Sequence, residues 1–158
     1  MFMRGQIGPC PNWMAELDLS KEIAAIRENW IKTGKMLDWQ MLPGGFRIIG
    51  PQFLGVGEDQ RLTLWFYTFP DLKHFKEWAL GAPEHIALHT KIVEAMKASM
   101  TAGQPALPSY SFHATDDPNA DIGQIRAELR EMYQQIEKTD WANMPPGSVQ
   151  VMMLGDDD

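Results

Sequence analysis

The run RLTLWFYTFPDLKHFKEWAL, residues 61 to 80, changes its periodicity at Pro70. Before the proline, Trp65 and Tyr67 fall on one face of a β-rich segment. After it, Leu72, Phe75 and Trp78 recur at helical spacing, with Pro70 suited to a first turn. A strand that passes directly into an amphipathic helix has to lay that helix back on its own sheet. Strand and helix thus alternate in one short run, as an α+β pattern requires.

The flanking segments extend this pattern. NWMAELDLS, residues 12 to 20, alternates Trp13, Ala15 and Leu17 with polar neighbours and predicts a strand. Ser20 then stands at an N-cap position for a helix carrying Ile23, Ile26, Trp30 and Leu37, which ends before the PGG at 43 to 45. FRIIGPQFLGVG and RLTLWFYTF predict an antiparallel pair joined across EDQ, with Pro51 demoting the middle of the first to an edge or bulge. GAPEHIALHTKIVEAM predicts a helix to about residue 102, and ALPSYSFHA a further strand carrying His113. The order strand, helix, strand, strand, helix, strand gives an α+β fold with helices on one face of an antiparallel sheet. The other face needs cover, which a second copy packed against it would supply.

Residues 1 to 114 are thus one domain, and residues 115 to 158 an extension. In the extension Asp117 is a predicted cap, Pro118 a first helical residue, and Ile122, Ile125, Leu129, Met132 and Ile136 form one apolar seam. Packing of this seam on its own domain is expected ahead of contact with a partner chain. SVQVMML predicts a last strand and GDDD a solvated acidic tail.

A net charge of −7, with no basic cluster, argues against nucleic acid and anionic membranes as partners. No signal-like or long apolar segment is present, and the single cysteine, Cys10, cannot form an internal disulfide, so a cytoplasmic protein is expected.

WMAELDLSKEIAAIRENW, LPGGFRIIGPQFLG and LTLWFYTFPDLKHFKEWALGAPEHIALH resemble the antibiotic biosynthesis monooxygenase group of dimeric α+β barrels, over residues 12 to about 114. The resemblance implies a ferredoxin-like protomer that dimerises through its sheet and encloses an apolar cavity. It also implies a monooxygenase-type oxidoreductase, within a superfamily that spans cofactor-free oxygenases of polycyclic phenols, heme-degrading enzymes and members without known activity. FKEWALGAPEHIALH resembles the segment of the heme-degrading branch that leads to a proximal histidine, and the match falls on His89. That branch bonds the distal ligand with an asparagine of the first strand. Here Asn12 stands at the start of the predicted strand, with Glu16 the nearest polar side chain on it.

The chemistry of these residues allows several uses. His85, His89, Ile92 and Met96 share a helical face, so a neutral imidazole at His89 could ligate heme iron, or the histidine pair could simply pack the helix. Two histidines four apart are also half a zinc site, for which His113, Glu84 or His74 would have to supply a third ligand. A cofactor-free oxygenase instead needs a base for a phenolic proton and aromatic groups around the substrate. His113, Tyr67, Trp65 and Trp13 are the candidates, with His85 and Met96 lining the substrate space. The alternative to an enzyme is a non-catalytic ligand-binding or assembly protein of the same fold.

Overall fold

The computed structural model describes residues 1–10, 12–47, 61–102, 109–138 and 149–153. Its sheet has the order β2-β3-β1-β4-β5, built from β1 (Phe2–Pro9), β2 (Asp38–Arg47), β3 (Arg61–Phe69), β4 (Ser109–Thr115) and β5 (Val149–Met153). The first four are antiparallel to their neighbours, whereas β5 runs parallel to β4. Between β1 and β2 the chain forms a short α1 (Asn12–Ala15) and α2 (Ser20–Ile26). Between β3 and β4 it forms α3 (Leu72–Gly81) and α4 (Pro83–Thr101), and α5 (Ile122–Lys138) precedes β5. No helix among the described residues is long and apolar enough to cross a membrane.

Several expectations are corrected here. The first strand is residues 2–9, not 12–20: Asn12 opens a helical turn that ends at Ala15 and carries half-buried Trp13, and half-buried Leu17 follows it. Alternation and helical spacing coincide over so short a run. The first long helix stops early, because α2 passes into a π-helical turn, Arg27–Ile31, and Gly34, at φ 73°, turns the chain into β2. Pro70 lies just before the helix and not in its first turn: Asp71 caps α3, its carboxylate accepting the His74 N–H at 2.9 Å. Asp121 does the same for α5 with the Gln124 N–H at 3.0 Å. Asp117 closes a turn onto Asn119 instead. The expected strand at 46 to 57 falls largely outside the described residues, as do EDQ, Pro51 and the acidic tail.

The inward face of the sheet is aromatic. Trp39, Trp65, Tyr67 and Phe69 are buried against Phe75 and Trp78 of α3, Leu88 of α4, and Ile26 and Trp30 beyond them. Trp78 is the keystone, its ring centroid 4.6 Å from Tyr67, 5.6 Å from Phe69 and 3.9 Å from His85. Glu84, in the first turn of α4, ties the π-helical turn down by accepting from the Trp30 indole at 3.1 Å and the Asn29 amide at 2.6 Å. Leu129 and Met132 of α5 belong to the same core, while Ile122 stays 41% exposed. The seam is therefore spent on its own domain, and the extension shares one core with the rest.

The outward face carries no helix among the described residues. Ile7, Leu64, Phe66 and Phe112 are half-buried there and Leu42 is exposed. Phe66 and Phe112 meet edge-to-face at 5.7 Å across Gly5. A Cβ on Gly5 would stand 2.0 Å from the Phe112 ring, so only glycine lets that ring lie across β1.

Truncating the keystone should be costly. Trp78→Ala is expected to lower the unfolding free energy by about 3–5 kcal/mol, read from urea denaturation at neutral pH.

Candidate functional site

Register brings the site together. Tyr67 of β3 and His113 of β4 both stand opposite Arg4 of β1, and Trp39 of β2 stands opposite Tyr67. Trp39, Tyr67, Arg4 and His113 thus form one row across the helix-covered face, on strands about 4.8 Å apart. All four side chains are buried.

Arg4 is the unusual member. It is 5% exposed, yet no carboxylate among the described residues pairs with it. Its Nη2 donates to the Ser111 hydroxyl at a long 3.5 Å, and its Nε has no partner. The guanidinium carbon lies 5.9 Å from the ring centres of both Phe75 on α3 and Tyr133 on α5. Such contacts soften the burial of a cation but supply no opposite charge.

His113 adjoins it. Its Nε2 is 3.0 Å from the Tyr133 hydroxyl, and its ring is stacked 5.6 Å from Phe2. Its Nδ1 is buried with no hydrogen-bond partner. Burial, helped by the Arg4 charge, pushes the His113 pKa down to about 3, so the ring is neutral. Burial raises the Tyr133 and Tyr67 phenols, against the pull of Arg4, and both stay protonated.

His85 and His89 form a second group, their rings 4.2 Å apart and edge-on. His85 is buried beneath Trp78, and burial, then His89 and Arg4, hold its pKa well below the usual range. Burial and Arg4 push half-buried His89 down to about 3. Both rings are neutral, which suits packing and metal ligation equally.

The remaining expected residues are placed as follows. Trp65 is buried beside Trp39 and Tyr67, at 6.3 and 6.4 Å. Met96 is half-buried on α4, two turns beyond His89. Trp13 is not in the row: with Asn12, Glu16 and Leu17 it lines a groove against Ala95, Ala98 and Ser99. The zinc reading finds its third ligands engaged elsewhere: Glu84 holds Asn29 and Trp30, His74 pairs with Asp71 at 2.7 Å, and His113 meets Tyr133. Among the described residues no three metal-ligating side chains converge.

Arg4, Ser111 and Tyr133 are the residues that sequence reasoning missed. The signal for Arg4 was the position of a lone arginine in phase with Phe2 in an alternating run, FMRGQI. Tyr133 flanks Met132 just beside the apolar seam of α5, where a stripe-based reading passes over it.

Comparison with known proteins adds no relative: no family model, curated protein or solved structure matches the chain.

The buried neutral histidines set a pH dependence. Folded pKa values below the unfolded value of about 6.5 mean that the unfolded chain binds more protons, so stability is full above about pH 6.5 and declines as pH falls towards 3. Urea unfolding at pH 7 and pH 5 should show this loss, and His113→Phe should flatten it by up to about 1.4 kcal/mol per pH unit.

Proposed function

We propose that the chain is a small-molecule oxygenase of the ferredoxin-like, dimeric α+β barrel type, acting on an apolar aromatic substrate held between sheet and helices. The strand order β2-β3-β1-β4, with helices on one face, supports the ferredoxin-like reading. The observation that carries the chemistry is the buried row of Tyr67, Arg4 and His113, with Tyr133 on His113. It offers a neutral imidazole with one unpartnered nitrogen, two protonated phenols and a fixed cation, in a site walled by Phe2, Phe75 and Trp65.

In the cofactor-free version His113 takes the hydroxyl proton of a polycyclic phenol, and the resulting anion gives electrons to dioxygen. The phenol and one O₂ become a quinone and one water. Tyr67 and Tyr133 donate hydrogen bonds to developing negative charge. Trp65 and the aromatic wall hold the ring plane.

Heme is the other version. His89 would be its axial ligand, and its neutral imidazole fits that donor role. Heme would supply dioxygen activation when bound. The first-strand asparagine of the heme-degrading branch has no counterpart: β1 contains none, and its inward polar positions are Arg4 and Gln6. This favours the cofactor-free version.

Oxygen uptake with a panel of polycyclic phenols such as 1-naphthol tests the reading. Turnover should fall about 10²–10⁴-fold in His113→Ala, with the near-ultraviolet circular dichroism retained. Uptake that is absent in the wild type, or unaltered in the variant, would sink it. A hemin titration that yields a Soret band lost in His89→Ala would move the reading to the heme version.

The apolar outward face supports a homodimer formed sheet to sheet. Phe112→Asp should convert the species seen by light scattering from dimer to monomer. A binding or assembly protein of the same fold is the second reading, and it gains from that face; ligand retention without oxygen uptake would select it.

A further inference from the structure

We infer that Arg4 anchors the oxygen of a phenol substrate as its proton passes to His113, so that the phenol is held in the site as its phenolate. The inference rests on the oxygenase reading and names the form of its substrate.

Two buried polar atoms without partners stand on neighbouring strands in register, Arg4 Nε and His113 Nδ1. An unpartnered buried cation is costly, and a single orphan would be only that. Two orphans on residues paired across neighbouring strands, one a permanent donor and the other an imidazole nitrogen, are complementary to a hydroxyl group that gives up its proton. The guanidinium meets the oxygen, and the imidazole meets the proton or the oxygen it leaves. The surroundings are aromatic. Phe2 and Phe75 flank His113 at 5.6 Å, and Phe75 and Tyr133 flank Arg4.

Tyr133 is half-buried on α5, with its ring 5.9 Å from the Arg4 guanidinium carbon. The charged and titratable groups that sense Arg4 are Tyr67 on β3, His85 and His89 on α4, His113 on β4 and Tyr133 on α5. None carries a negative charge at neutral pH. No carboxylate among the described residues pairs with Arg4, and an anionic ligand would supply that charge.

This also answers how a weakly basic histidine removes a phenolic proton. The work is done by stabilising the anion, not by the strength of the base.

The test is an absorbance titration of 4-nitrophenol, coloured only as its phenolate, in the presence of excess full-length protein. Bound to the wild type, the probe should ionise about one pH unit or more below its value in buffer. Arg4→Met should abolish the shift and weaken binding about ten-fold or more, and Arg4→Lys should keep part of both. 4-Nitroanisole, which cannot ionise, should bind more weakly than the phenol to the wild type and equally to Arg4→Met. An unshifted bound probe, or an unchanged shift in Arg4→Met, overturns the inference. So does 4-nitrobenzoate binding through Arg4 while the phenol stays neutral, which would make the anchor a carboxylate site.

Arg4→Met should melt no lower than the wild type, because it removes an unpaired buried charge and keeps an apolar stem. A lower melting temperature together with no probe binding would show that Arg4 is neutralised within the chain, and would overturn the inference as well. Phenolate binding through Arg4 without oxygen uptake on any phenol would leave the anchor standing and remove the oxygenase reading.

Discussion

The positive charge of Arg4 reaches two tyrosines and three histidines on the inward side of the sheet. Burial lowers His85, His89 and His113, Arg4 adds to that, and Arg4 opposes the rise that burial imposes on Tyr67 and Tyr133. The other groups face it as neutral species. A cation among neutral partners in a low-dielectric interior generates a field that no counter-charge among the described residues cancels. The aromatic wall keeps that field from water, because the rings of Phe2, Phe75, Tyr67 and Trp78 exclude solvent while offering only quadrupoles in return. Scaffold and site are therefore one structure: the residues that hold the helices to the sheet also set the potential inside it.

Much of this was open to sequence reasoning, and what was hidden had physical causes. β3, α3, α4 and β4 are legible because their patterns are long or sharply punctuated, as at Pro70 and the GAP at 81 to 83. β1 is not, since its inward positions hold Arg4 and Gln6 and its run is interrupted by Gly5 and Gly8, so it reads as a polar leader. The glycine at 5 answers to a ring on another strand, Phe112, and no local pattern encodes that. NWMAELDLS misleads in the opposite sense, because alternation over a few residues is satisfied equally by one helical turn.

The candidate residues divide in the same way. His113 and Tyr67 could be picked by residue type on predicted strands, and register then brings them to opposite sides of one side chain. That side chain was missed. A buried arginine announces itself only through burial, which depends on helices contributed by α3 and α5. Trp13 was chosen for its supposed strand, and it fell out of the site once that strand moved ten residues upstream.

The position of β1 in the sheet has a consequence for the order of assembly. It is the central strand, flanked by β3 and β4, yet it comes first in the chain, and Arg4 meets Ser111 across a separation of 107 positions. During synthesis this strand can pair with β3 once that is made, but its other edge has to wait for β4. The guanidinium is solvated throughout that wait and gives up its water only at the last closing event. The site is thus completed late in the chain, only after β4 and α5 have joined β1 and β3.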